Sequence, residues 1–284
     1  MIKNETIIKS GLRNTPVDKR DFSYKKVFGK LAVLPEEDFL VGDPLEIKDQ
    51  LDSDLCAAFG GSSASELQEG VTLSPEWLFA KAKELEGDFT TWGLDLRIVC
   101  KVLSKLGSLE KKDAPFTLAM GRNFVADWSN WPLDLDKLAI IHKKKSYFNV
   151  NPQDNLFDSI RQALWENKEF KRAVLTGCIW KPSWIYSDQG IVKDQYEELG
   201  FGHAFIFIGQ KKIDDKIYLV AQLSNGTSIG DNGLFYFSKE VVNKHFKFGA
   251  YMFVDILPEE AKILNESQYR CLAKFKIFLL NLFK

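Results

Sequence analysis

The chain is poor in histidine and cysteine, with three and four in 284 residues, and neither sign of charge dominates its formal net charge of -1. Near-neutrality removes the electrostatic case for a nucleic-acid or anionic-membrane partner. The four cysteines, Cys56, Cys100, Cys178 and Cys271, are scattered without metal-ligand spacing, so no metal site is expected. Free thiols in a reducing compartment are the simplest reading. No apolar run approaches the roughly 20 residues of a membrane span, so no transmembrane segment is expected. The opening Met1-Ile2-Lys3-Asn4-Glu5-Thr6 lacks the apolar core of a secretory signal, which favours a cytoplasmic protein. Repeats and low-complexity blocks are missing too. An apolar fraction of 45% in a chain of this length supports a sizeable core.

What is present falls into two halves. Residues 1–34 are polar, without sustained periodicity, and read as an N-terminal extension that packs on the body or as a partly ordered arm. Residues 35–135 read as a helical lobe. One helix opens near Cys56, with Ser53 or Asp54 as its cap, and ends before Gly70. A second starts at Ser74-Pro75-Glu76, with a cap, a first-turn proline and an early acid. A third carries Leu96, Val99, Cys100 and Leu103 at helical spacing and stops at Gly107. Residues 136–256 read as a β-rich lobe after one more helix around Phe157–Leu164. Its strands are expected at 172–180, 204–208, 217–221, 234–237 and 251–254. A helical half followed by a strand-rich half predicts an α+β fold with a cleft between lobes. Residues 257–284 form an apolar, lysine-studded tail.

Chemistry concentrates in the run Gln50-Leu51-Asp52-Ser53-Asp54-Leu55-Cys56-Ala57-Ala58-Phe59. A thiol at the tip of a helix meets first-turn amides and the positive end of the dipole, which favour thiolate. Gln50, six residues upstream, is in position to lend a side-chain N–H to an oxyanion beside that sulfur. Cys100 and Cys178 read instead as small buried apolar side chains. Of the histidines, His142 precedes three lysines and His245 sits among polar residues, so both are expected at the surface. His203 differs: it opens a strong strand, where it is either a core histidine or a base projecting into the cleft. The glycine-rich stretch Gln222–Phe235 is either a plain turn or part of the same site.

Taken together, these three segments resemble the papain-like cysteine peptidases. The family's Gln-Gly-x-Cys-Gly-Ser-Cys-Trp-Ala-Phe is matched at Gln50, Cys56, Ala58 and Phe59. Its His-Ala β-run is matched by His203-Ala204 through Gly209, and its Asn-Ser-Trp-Gly segment at Ser224, Gly226, Thr227, Gly230, Asn232 and Gly233. His203 follows Cys56 by 147 positions, within the spacing of papain-type enzymes. Pro16–Tyr24 and Leu73–Leu78 are similar to segments of bacterial and phage-encoded members. The resemblance implies a two-lobed fold and thiol-dependent hydrolysis of peptide or isopeptide bonds, with no metal or organic cofactor expected. It further implies Cys56 as nucleophile, His203 as proton carrier, and Gln50 with the Cys56 amide as oxyanion hole.

Several positions depart from the family pattern. Leu223 falls where the family has the asparagine that orients the histidine; Asn225, two residues on and on the same strand face, is the substitute. Asp54 replaces a groove glycine, which predicts a narrowed groove and a disfavoured thiolate. Ser53 replaces a disulfide cysteine and Ala57 a tryptophan. The arm is short for the family's prosegment, which argues against zymogen control. These departures keep a second reading open: a catalytically weakened or inactive binding protein, such as a phage virion or assembly component. On that reading residues 258–284 dock a protein partner; otherwise they pack on the domain.

Overall fold

In a computed structural model of the protein, residues 11–15, 18–29, 33–150, 155–194 and 199–255 are described. The first half runs β1 (Phe22–Ser23), α1 (Tyr24–Phe28), β2 (Phe39–Leu40), α2 (Cys56–Glu69), α3 (Pro75–Glu86) and α4 (Leu96–Lys105), then short α5 (Arg122–Ala126) and α6 (Leu135–Ala139). The second half holds β3 (Ser146–Asn149), α7 (Leu156–Glu166), β4 (Val174–Trp180) and β5 (Ile191–Val192). After these come β6 (Phe201–Ile213), β7 (Lys216–Gln222), β8 (Leu234–Phe237), α8 (Lys239–His245) and β9 (Ala250–Val254). The strands form one sheet in the order β1-β3-β9-β4-β6-β7-β8-β5, with β2 added on β6. This is an α+β, two-lobed architecture. The expected tail, 258–284, lies outside the described residues.

Helix α2 explains how the lobes join. Its sequence, rich in Ala, Ser and Gly, is buried nearly all round. A Cβ on Gly60 would stand 2.8 Å from Leu175 of β4, and one on Gly61 2.4 Å from Val99 of α4. Each glycine costs about 1 kcal/mol of helix propensity relative to alanine. Both are needed for close approach, one toward the sheet and one toward the helices. The small-residue segment therefore runs between the lobes, and its first residue is at their junction.

Two local expectations are corrected. Neither Ser53 nor Asp54 caps α2: the cap position is Leu55, without a side-chain bond. The Ser53 hydroxyl instead turns back to the Gln50 carbonyl, at 2.6 Å. His142 is not a surface residue; it is buried, with its two ring nitrogens each 3.5 Å from a carboxylate, Glu69 and Glu110. The lysines beside it misled, because Lys144 is itself buried on Glu69.

Candidate active site

Residues 48–50 form a short extended stretch that pairs with 224–226. Gln50 N–H donates to the Ser224 carbonyl at 2.8 Å, and Gly226 N–H donates to the Lys48 carbonyl at 2.9 Å. This pairing brings Gln50, Asn225 and the start of α2 together. Lys48 anchors the stretch to α2 through a buried ion pair with Glu66 at 2.7 Å. The Gln50 side chain is fully buried and fixed at both ends. Its oxygen accepts from Ser224 Oγ at 2.7 Å, and Nε2 donates to the Ser53 carbonyl at 3.0 Å, leaving a second amide hydrogen.

His203 lies in β6 directly across from Cys178 of β4. Its Nε2 stands 3.1 Å from Asn225 Oδ1. With the amide oxygen facing it, Nε2 carries the proton and donates, so a neutral ring has its lone pair on Nδ1. Nδ1 is buried and has no hydrogen-bond partner among the described residues. Trp180 packs edge-on against the imidazole, ring centres 5.6 Å apart. That ring comes from β4, whereas the tryptophan positions of the family's asparagine segment are Asn225 and Ile229 here. Sequence reasoning missed Trp180. Its alternation with Cys178 placed it on the same strand face, which was the available signal.

The Cys56 sulfur accepts backbone N–H bonds from Ala204, the neighbour of His203, and from Gly11. Burial is the dominant influence on both reactive groups. It pushes the Cys56 thiol up to about 12, over the opposing backbone bonds. It pulls His203 down to about 4, against the Asn225 bond that favours the charged ring. Sulfur and imidazole are therefore both neutral in this form.

The N-terminal arm crosses the site. Residues 11–13 run through the cleft parallel to the segment at Leu94. Leu94 N–H donates to the Gly11 carbonyl and Arg13 N–H to the Leu94 carbonyl, each at 2.9 Å; on the other wall Leu12 N–H donates to the Gly202 carbonyl at 3.3 Å. The slot is lined by glycines. A Cβ on Gly93 would lie 2.3 Å from the Gly11 oxygen, one on Gly202 2.3 Å from the Leu12 oxygen, and one on Gly177 2.1 Å from the Leu12 side chain. Such a slot admits an extended backbone and little else. The strap needs only three residues because both walls come within hydrogen-bond reach of it.

Asp54 is fully buried, receives the Gly93 N–H and is clasped by Arg122 Nε at 3.0 Å and Nη2 at 2.9 Å. Its charge still raises the Cys56 thiol, as a lesser influence than burial. The guanidinium partner was not legible because Arg122 lies 68 residues away.

No family model matches the chain, and no curated protein matches it in sequence. Solved structures do. Xylellain, a cysteine protease from Xylella fastidiosa, superposes with a TM-score of 0.70 at 21% identity, covering 88% of this chain and 100% of that one. This is the papain-like fold. A procathepsin B from Trypanosoma congolense follows the same path, with a TM-score of 0.61 at 14% identity over 87% of each chain. Bromelain from Ananas comosus, in complex with the E64 inhibitor, gives 0.57 at 15% identity over 78% of this chain and 99% of that one. Within the papain-like frame, Cys56 starts the helix between the lobes and His203 is in the sheet of the other lobe.

Proposed function

We propose that the protein is a cysteine peptidase hydrolysing peptide or isopeptide bonds, here in a latent form. Cys56 is the nucleophile. With the strap displaced, water and substrate reach the cleft and the desolvation that keeps both groups neutral is relieved. The thiol proton passes to the vacant Nδ1 of His203, giving thiolate beside imidazolium. The thiolate adds to the scissile carbonyl carbon. The oxyanion that forms is met by the Cys56 N–H and the second amide hydrogen of Gln50. Imidazolium returns its proton to the leaving amine as the C–N bond breaks, leaving a thioester. Water, deprotonated by His203, then attacks that thioester and releases the acid and the thiol.

Asn225 acts through His203. Its carbonyl oxygen fixes which nitrogen is protonated, and so takes the part for which Leu223 has no polar atom. The observation that carries the proposal is the His203 ring held at Nε2 with Nδ1 bare, while the next residue's amide holds Cys56 sulfur. Iodoacetamide alkylation at mildly acidic pH tests it. On protein freed of its strap, Cys56 is expected to label selectively, and the selectivity is expected to vanish in His203→Ala. Equal, slow labelling of all thiols refutes the ion pair.

A further inference from the structure

The arm that covers the cleft is held a second time, at the first turn of α4. Arg97, in the first turn of that helix, binds Asp21 through Nε at 2.8 Å and also binds Asp18. Thr15 Oγ1 accepts the Leu96 N–H at 3.2 Å. Residues 93–97 thus grip the arm from Gly11 to Asp21: backbone bonds at Leu94 hold the strap, and the Arg97 clasp holds Asp18 and Asp21.

That clasp forms one wall of an open groove of about 560 Å³ between α4, β1 and β3. Arg20, Arg97, Lys101, Lys105 and Lys145 face it, with Asp21 as the acid among its lining residues. The aspartates engage the two arginines. Lys101, Lys105 and Lys145 have no ion-pair partner among the described residues. Three uncompensated cations in one concavity are not a reflection of overall composition, because the chain as a whole is at -1. Lys105 complements the negative end of the α4 dipole. Lys101, one turn earlier, only repels it, and Lys145 comes from the loop before β3. Cations converging from two elements, with serine hydroxyls beside them, suit a ligand carrying several phosphates.

We propose that this groove binds an oligophosphate, and that the bound anion loosens the Asp18–Asp21 clasp on Arg97 and with it the strap over Cys56. The direction follows from charge. An anion drawn in by the lysines repels both aspartates and competes for the guanidinium that holds them. Activation would rest on the peptidase reading; binding and loosening do not.

The test uses the full chain as Cys56→Ser, so that no outcome depends on catalysis. Inorganic tripolyphosphate is titrated by calorimetry, and backbone hydrogen exchange is followed at Leu12 and Arg13. Saturable one-site binding is expected, weakened at least tenfold in Lys101→Gln/Lys105→Gln/Lys145→Gln. Exchange at Leu12 and Arg13 is expected to quicken at least threefold at saturation, and not in sodium sulfate of equal ionic strength. Lys145→Glu alone, an exposed change outside α4, is expected to weaken binding as well. Absence of binding, equal affinity in the lysine variants, exchange unchanged by bound tripolyphosphate, or an equal effect of sulfate each overturns the proposal.

Discussion

Replacing Gly11 by alanine is expected to expose Cys56. A Cβ at Gly11 would stand 2.1 Å from the Asp54 carbonyl oxygen, which is backbone and cannot swing aside. Asp54 is itself fixed by Arg122 and Gly93, so the strap must give way. Overpacking of this kind costs about 1–3 kcal/mol. At about 1.4 kcal/mol per tenfold, the population with the strap lifted rises roughly 5- to 150-fold. The assay is the rate of iodoacetamide modification of each thiol, resolved by peptide mass spectrometry. Cys100, buried in α4, serves as the internal reference. A Cys56 rate that rises while the Cys100 rate stays constant is the expected result. An unchanged Cys56 rate refutes the claim that the strap is what buries the sulfur. An equal rise at Cys100 would mean general loosening and would refute it too.

Other outcomes rest on the same geometry. Arg122→Met leaves the buried Asp54 carboxylate without its guanidinium and is expected to destabilise the fold by about 3–5 kcal/mol, read by denaturant unfolding. His203 has a folded pKa of about 4 against an ordinary 6.5, so the unfolded chain takes up that proton first. The contribution is fully present above pH 6.5 and is lost as pH falls toward 4, up to about 3 kcal/mol; a pH series of melts should be flatter over that window in His203→Gln. Asn225→Ala removes the partner of His203 Nε2 and is expected to lower kcat/KM of the activated enzyme by about tenfold, within the range of one buried hydrogen bond. An unaltered pH–rate profile in that variant would contradict a positioning role.

Much of the architecture could be read from local pattern. The helix at 75 announces itself by a cap and a first-turn proline, the one at 96 by apolar spacing and the one at 56 by its stop at Gly70, and the main strands by unbroken apolar runs. Strands β1, β2, β3 and β5 have two to four residues and are defined by their neighbours, so no local signal marks them. The same division holds at the site. Gln50, Cys56 and His203 stand in recognisable segments, and Asn225 follows from two-residue periodicity. The strap, the Arg122 clasp on Asp54, and the Trp180 ring on His203 are contacts between distant parts of the chain, and composition is silent about them. His142 went astray for a related reason: a lysine-rich neighbourhood suggests solvent, yet Glu69 and Glu110 draw the ring and Lys144 inward.

The most direct test of the central claim is peptide cleavage by the unstrapped protein. Gly11→Ala is incubated with a library of unstructured peptides, and new termini are identified by mass spectrometry. Cleavage products that are absent from Gly11→Ala/Cys56→Ser and from Gly11→Ala/His203→Ala are predicted. If the exposed thiol is alkylated readily yet no peptide is cut, or if cutting persists without Cys56, the assignment of Cys56 and His203 as a peptidase pair is wrong.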